Sequence, residues 1–202
     1  MSYSQPPSDQ SVIVRPSSPA DVPFPSFERY DAMAIAFHWL MFLLIAVAYA
    51  TIELRDFADK GTLARMVLME SHKWSGALVL VLAVPRLLWR LFNGAPAPEP
   101  GPRWGHRLAS LMHGALYLFL IAQPLIGIVM MNAAGRMLVV PILGIEIPAI
   151  VAPSEALNDA AGDAHELIGN AFYLIIGLHA MAALFRHYML GDNTMRRMSR
   201  RR

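Results

Sequence analysis

Four stretches of this chain, residues 32–51, 71–91, 108–131 and 166–185, are apolar for long enough to cross a lipid bilayer. A spanning helix needs about 20 predominantly apolar residues, and inside lipid every backbone amide must find its partner within the helix. Composition agrees with that solvent, since 55% of the residues are hydrophobic and only 16% charged. A water-facing surface is hard to build from such a mixture. At 202 residues the chain has room for one domain, so the four stretches predict an all-α integral membrane four-helix bundle. The segments between them, 53–60, 93–103 and 132–163, carry charge or proline and read as loops.

The formal net charge is +2, but the basic residues lie beside the apolar blocks and in the tail. That placement speaks for membrane topology and against a nucleic-acid partner. Twelve of the 17 Lys and Arg fall on the side holding the N-terminus, the second loop and the C-terminus, and five on the other side. By the positive-inside tendency both termini are expected in the cytoplasm, with the first and third loops outside. Trp39, Trp74, Trp89 and Trp104 stand near span ends and, with the terminal arginines, read as interfacial anchors. The third loop contains Pro141, Ile142, Leu143, Ile147, Pro148 and Ile150 and is expected to lie along the outer interface without crossing it. Residues 1–28 are rich in Ser and Pro, with no stretch like a secretory signal, and read as a disordered cytoplasmic tail. Residues 29–191 then form the transmembrane domain and 192–202 a basic cytoplasmic tail. The chain has no cysteine, which excludes disulfides, thiolate metal sites, a nucleophilic cysteine and thioether-attached haem.

Ligating side chains inside a span are costly, so each is a functional candidate. Of seven histidines, five lie in or at the edge of the spans: His38, His72, His113, His165 and His179. His165 and His179 are 14 residues apart. At about 100° per residue they share one face of the fourth helix, about 21 Å apart along its axis. His72, near the outer end of the second helix, matches His165 in depth. His38, near the inner end of the first, matches His179. Haem iron accepts two axial imidazoles from opposite helices, so the pairs His72 with His165 and His38 with His179 define two stacked haem irons. His113, about two turns in from the inner end, competes with His38 as the partner of His179. Interfacial histidine is often only an amphipathic anchor, but two depth-matched pairs on one face are hard to obtain by accident. A bare metal-ion site ranks below haem, because Glu70 and Glu166 at the outer edges are the only carboxylates near these spans' histidines. Arg86 lies at the depth of His38 and His179, where it either meets a haem propionate or snorkels to headgroups with Arg90. Gly76, Gly114, Gly169 and Gly177 leave room for a macrocycle or simply for close helix packing.

Residues 36–43 (AFHWLMFL), 85–90 (PRLLWR), 113–124 (HGALYLFLIAQP), 127–131 (GIVMM) and above all 164–188 (AHELIGNAFYLIIGLHAMAALFRHY) carry a likeness to a known family. With Asp192, Asn193 and Thr194 they resemble the bacterial cytochrome b561 family and, within it, the superoxide oxidases (superoxide:ubiquinone oxidoreductases). The likeness covers nearly everything after Tyr30. It implies a di-haem b protein of the inner membrane, with two haem b groups, in which His72 and His165 match the outer ligands and His38 and His179 the inner ones. Membrane subunits of formate dehydrogenase and nickel-iron hydrogenase have a similar ligand layout, which favours His38 over His113. His113 then belongs near the inner haem or a bound ubiquinone. The implied activity passes electrons from superoxide, or another one-electron donor, to ubiquinone. The alternative is a haem-bearing anchor relaying electrons from a dehydrogenase or hydrogenase partner subunit to quinone.

Overall fold

A computed structural model describes residues 28–140 and 143–199. Most of the expected N-terminal tail, Pro141, Ile142 and the last three arginines lie outside the described residues. The elements run α1 (Ala32–Leu54), a 3-10 turn (Arg55–Phe57), α2 (Leu63–Asn93), α3 (Arg103–Ala133), β1 (Leu138–Val139), β2 (Glu146–Ile147), α4 (Glu155–Tyr188) and α5 (Thr194–Arg197). Four of the helices are long and apolar enough to cross a membrane. Phe42, Val81, Leu111, Leu118 and Leu174 are each more than half exposed on their outer faces. In water such a surface would drive association, whereas lipid is its matching solvent. The protein is a membrane-embedded helical bundle.

Local chemistry starts each helix. Asp31 caps α1 by accepting from the Met33 and Ala34 amides at 2.9 Å each, and Ser154 caps α4 by accepting from Leu157. α2 and α4 begin well before the apolar stretches, at Leu63 and Glu155. Residues 155–165 (EALNDAAGDAH) are polar but rich in alanine, with an acid in the first turn, so they favour helix without favouring lipid. Hydropathy marks immersion, not where backbone hydrogen bonding begins. The third loop is also more structured than a surface-lying segment. Its antiparallel ribbon pairs Leu138 with Ile147 and Val139 with Glu146, and Gly144 turns it at φ +65°.

The bundle is two helix pairs, α1 against α2 and α3 against α4, joined through α2 and α3. The end carrying Tyr30, the α2–α3 loop and α5 is here the near end; the end carrying the other two connections is the far end. The buried core is small: Met41, Val79, Ala83 and Leu120, backed by Leu44, Leu82 and Tyr117. It lies at mid-depth. At the far end the buried Asn132 accepts from the Ile150 amide at 3.0 Å and donates to the Arg136 carbonyl at 3.0 Å. Asn158 donates to the Met130 carbonyl at 2.8 Å. These side chains tie the end of α3 to the segment that follows it and to the start of α4.

Candidate functional site

The histidines predicted from spacing converge in space. At the far end the His72 ring of α2 faces the His165 ring of α4, with centroids 6.2 Å apart and planes at 87°. At the near end His179 of α4 faces His38 of α1 at 6.4 Å and His113 of α3 at 5.8 Å. Two metal–nitrogen bonds of about 2 Å each place the centres of opposed imidazoles about 6 Å apart. All three ring pairs meet that spacing, so distance alone leaves His38 and His113 both eligible beside His179.

The second ring nitrogen orients each imidazole. His72 Nδ1 lies 2.9 Å from the Ala48 carbonyl, so it carries the proton and donates there, leaving Nε2 free to ligate. His165 Nδ1 is buried and makes no well-formed hydrogen bond among the described residues. The Gln123 side chain donates to the His165 carbonyl at 2.8 Å and fixes the backbone that carries the ring. A cavity of about 1390 Å³ opens at this end, lined by His72, His165, Gly76, Gly127, Tyr49 and Tyr173 among others. A Cβ on Gly127 would stand 3.0 Å from His165 Cε1, whereas one on Gly76 would meet nothing within 4 Å. The first glycine lets the ring lie where it does; the second leaves open space beside it. Gly114 and Gly177 are likewise open.

Arg86 stands at the near-end level. Its Nη2 lies 3.4 Å from His38 Nδ1, its guanidinium carbon is 5.8 Å from the Tyr117 ring centroid, and its Nε is buried without a partner. Sequence reasoning missed several neighbours. Tyr173 donates to Glu53 at 2.6 Å, Tyr49 donates to the Gly169 carbonyl at 2.8 Å, and their rings lie 4.1 Å apart. Phe172 stacks on Phe119 at 4.5 Å, and it is seven residues from both His165 and His179. That i, i+7 spacing was a legible signal for a side chain between the two levels. The two tyrosines gave no such signal.

The donor set, an oriented Nδ1–H with a free Nε2, an orphaned imidazole nitrogen and open space at glycines, fits a flat iron porphyrin between α4 and its neighbours. Comparison with known proteins decides the family. Residues 29–201 match the family described as prokaryotic cytochrome b561. The chain belongs to that family. It is 36% identical over 175 residues to cytochrome b561 homolog 1 of Escherichia coli K12, covering 86% of this chain and 98% of that relative. It is 36% identical over 173 residues to the probable superoxide oxidase CybB of Yersinia pestis, covering 85% and 96%. A cytochrome b562 of Cereibacter sphaeroides is 30% identical over 177 residues, covering 86% and 96%. As a prokaryotic cytochrome b561 this is a haem b-binding membrane protein of electron transfer, with an oxidoreductase role.

Proposed function

We propose that this chain is a di-haem cytochrome of the bacterial inner membrane that oxidises superoxide to dioxygen at its far, periplasmic end and reduces ubiquinone. The observation that carries the reading is the meeting of imidazoles at two levels, His72 with His165 and His38 with His179. Haem supplies a buried one-electron couple when bound. The chain's residues do the rest. Ala48 and Gln123 hold the His72 and His165 rings in place, and the core at mid-depth excludes water between the levels. The unpartnered Nε of Arg86 is available to a haem propionate. His113, beside His179, can relay a proton to a quinone entering from lipid. Two superoxide ions give two dioxygen molecules and two electrons, which with two protons convert ubiquinone to ubiquinol.

Charge does not favour the anionic donor. Arg55 pairs with Asp56 at 3.0 Å, Lys73 pairs with Glu70, and Arg65 is engaged by the Arg55 and Ala58 carbonyls. Support for superoxide comes instead from the Yersinia pestis relative named as a probable superoxide oxidase. The test is the reduced-minus-oxidised visible spectrum of the purified protein with its haem-to-chain ratio, expected to be two. Superoxide-driven ubiquinone reduction by the isolated chain follows. A preparation without porphyrin ends the reading; two haems without that activity replace it with the partner-fed anchor.

A further inference from the structure

The two levels use the same ligand type but differ in what faces the second ring nitrogen. At the far end His72 Nδ1 meets an acceptor, the Ala48 carbonyl at 2.9 Å. A ring that donates to a carbonyl becomes a more basic ligand, which favours the ferric state. At the near end His38 Nδ1 instead faces Nη2 of Arg86 at 3.4 Å. Arginine is a donor only and stays charged at any accessible pH. Among the described residues no carboxylate forms an ion pair with Arg86, and its other contact is the face of Tyr117. A cation held in a low-dielectric span is poorly screened and opposes any further positive charge nearby.

From this asymmetry, and resting on the two-haem reading above, we propose that Arg86 raises the electron affinity of the near-end haem above that of the far-end haem. Arg86 acts here as a positioning residue for charge and makes no bond to iron. With haems held by His72 and His165 and by His38 and His179, one electron would pass from the far-end group to the near-end group, one being oxidised as the other is reduced, with no bond made or broken and no proton moved. The acceptor beside His72 and the cation beside His38 thus set the direction of flow. A propionate engaged by Arg86 leaves the sign unchanged. Removing the guanidinium would then leave that carboxylate unneutralised beside the iron, which also lowers electron affinity.

The test is potentiometric titration of the visible bands of the purified holoprotein, wild type against Arg86→Gln and Arg86→Lys. The higher of the two midpoints should fall in Arg86→Gln by at least a tenfold change in electron affinity, about 59 mV for a one-electron couple. The lower midpoint should hold, and Arg86→Lys should keep the original order. An unchanged or raised upper midpoint in a two-haem Arg86→Gln protein overturns the proposal. So does a shift confined to the lower one. If Arg86→Gln sheds a haem, Arg86→Ala takes its place with the same expectation, and haem loss from both neutral variants overturns the idea by making Arg86 a structural anchor. Fewer than two haems in the wild type would instead sink the two-haem reading itself.

Discussion

Gly127 and Gly76 both line the far-end cavity, yet each lacks a side chain for a different reason. At Gly127 an added methyl would crowd His165 Cε1 at 3.0 Å and Nδ1 at 3.3 Å, and the ring has to move. On the proposed two-haem reading, Gly127→Ala is therefore expected to loosen the far-end haem, with the haem-to-chain ratio falling from two towards one. A ratio that stays at two in Gly127→Ala would mean that the ring position does not matter for binding. At Gly76 the methyl meets no protein atom within 4 Å, so Gly76→Ala should fold with unchanged apoprotein stability and still impair haem binding. Unimpaired loading of Gly76→Ala would show that the macrocycle does not use that space. The same logic separates the near-end histidines. His38→Ala should remove one haem, whereas His113→Ala should retain both and alter the pH dependence of quinone reduction. The reverse pattern in the absorbance of the two variants would make His113 the ligand.

Among the elements, the four spans and the histidine faces of α4 were legible because immersion in lipid leaves a long uninterrupted signal and helical periodicity repeats it. The α5 clasp was not, because its partners are distant in sequence. Arg197, read as part of an interfacial basic tail, is instead buried at the near end. It donates to the Glu28 carbonyl at 2.8 Å and the Ala97 carbonyl at 2.6 Å, and pairs with Glu99 at 3.4 Å. Trp39 adds a bond to the Met198 carbonyl at 2.8 Å. A run of arginines cannot reveal which one turns inward. Arg197→Ala should cost about 1 kcal/mol for each part-buried hydrogen bond lost, while the exposed neighbour Arg196→Ala should be nearly neutral; thermal melts in detergent compare them. The α4–α5 junction adds a pH term. Partial burial works to raise the Asp192 carboxyl, but bonds from Thr194 and the charge of Arg186 outweigh it and hold the group below the usual carboxylate range. Arg186 Nε lies 2.7 Å from Asp192 Oδ2, an ion pair at an angle poor for hydrogen bonding. A lowered folded value means stability present above the ordinary carboxylate range and lost as pH falls through the lowered value. Asp192→Asn should remove that acid-side loss from a melting-temperature series, and an unchanged profile would assign it to other groups.

For the whole molecule the proposed orientation rests on the distribution of the basic residues. The N-terminal side, the second loop and the C-terminus hold twelve of the 17 Lys and Arg. The fold gathers the described ones of that set towards the near end, with α5 and the α2–α3 loop. Insertion retains such a surplus in the cytoplasm, because moving each charge outward works against both the lipid and the membrane potential. On the proposed orientation the far-end cavity opens to the periplasm, where the proposed donor, superoxide, would arrive without crossing the bilayer. Because the chain has no cysteine, single cysteines can report this directly. Lys60 in the far-end loop and Ala95 in the near-end loop are both exposed. In intact cells a membrane-impermeant maleimide should label Lys60→Cys, and should reach Ala95→Cys only after permeabilisation. Labelling in the opposite order would turn the His72–His165 level towards the cytoplasm. The donor would then have to be intracellular, and the charge surplus would have lost to some stronger determinant of insertion.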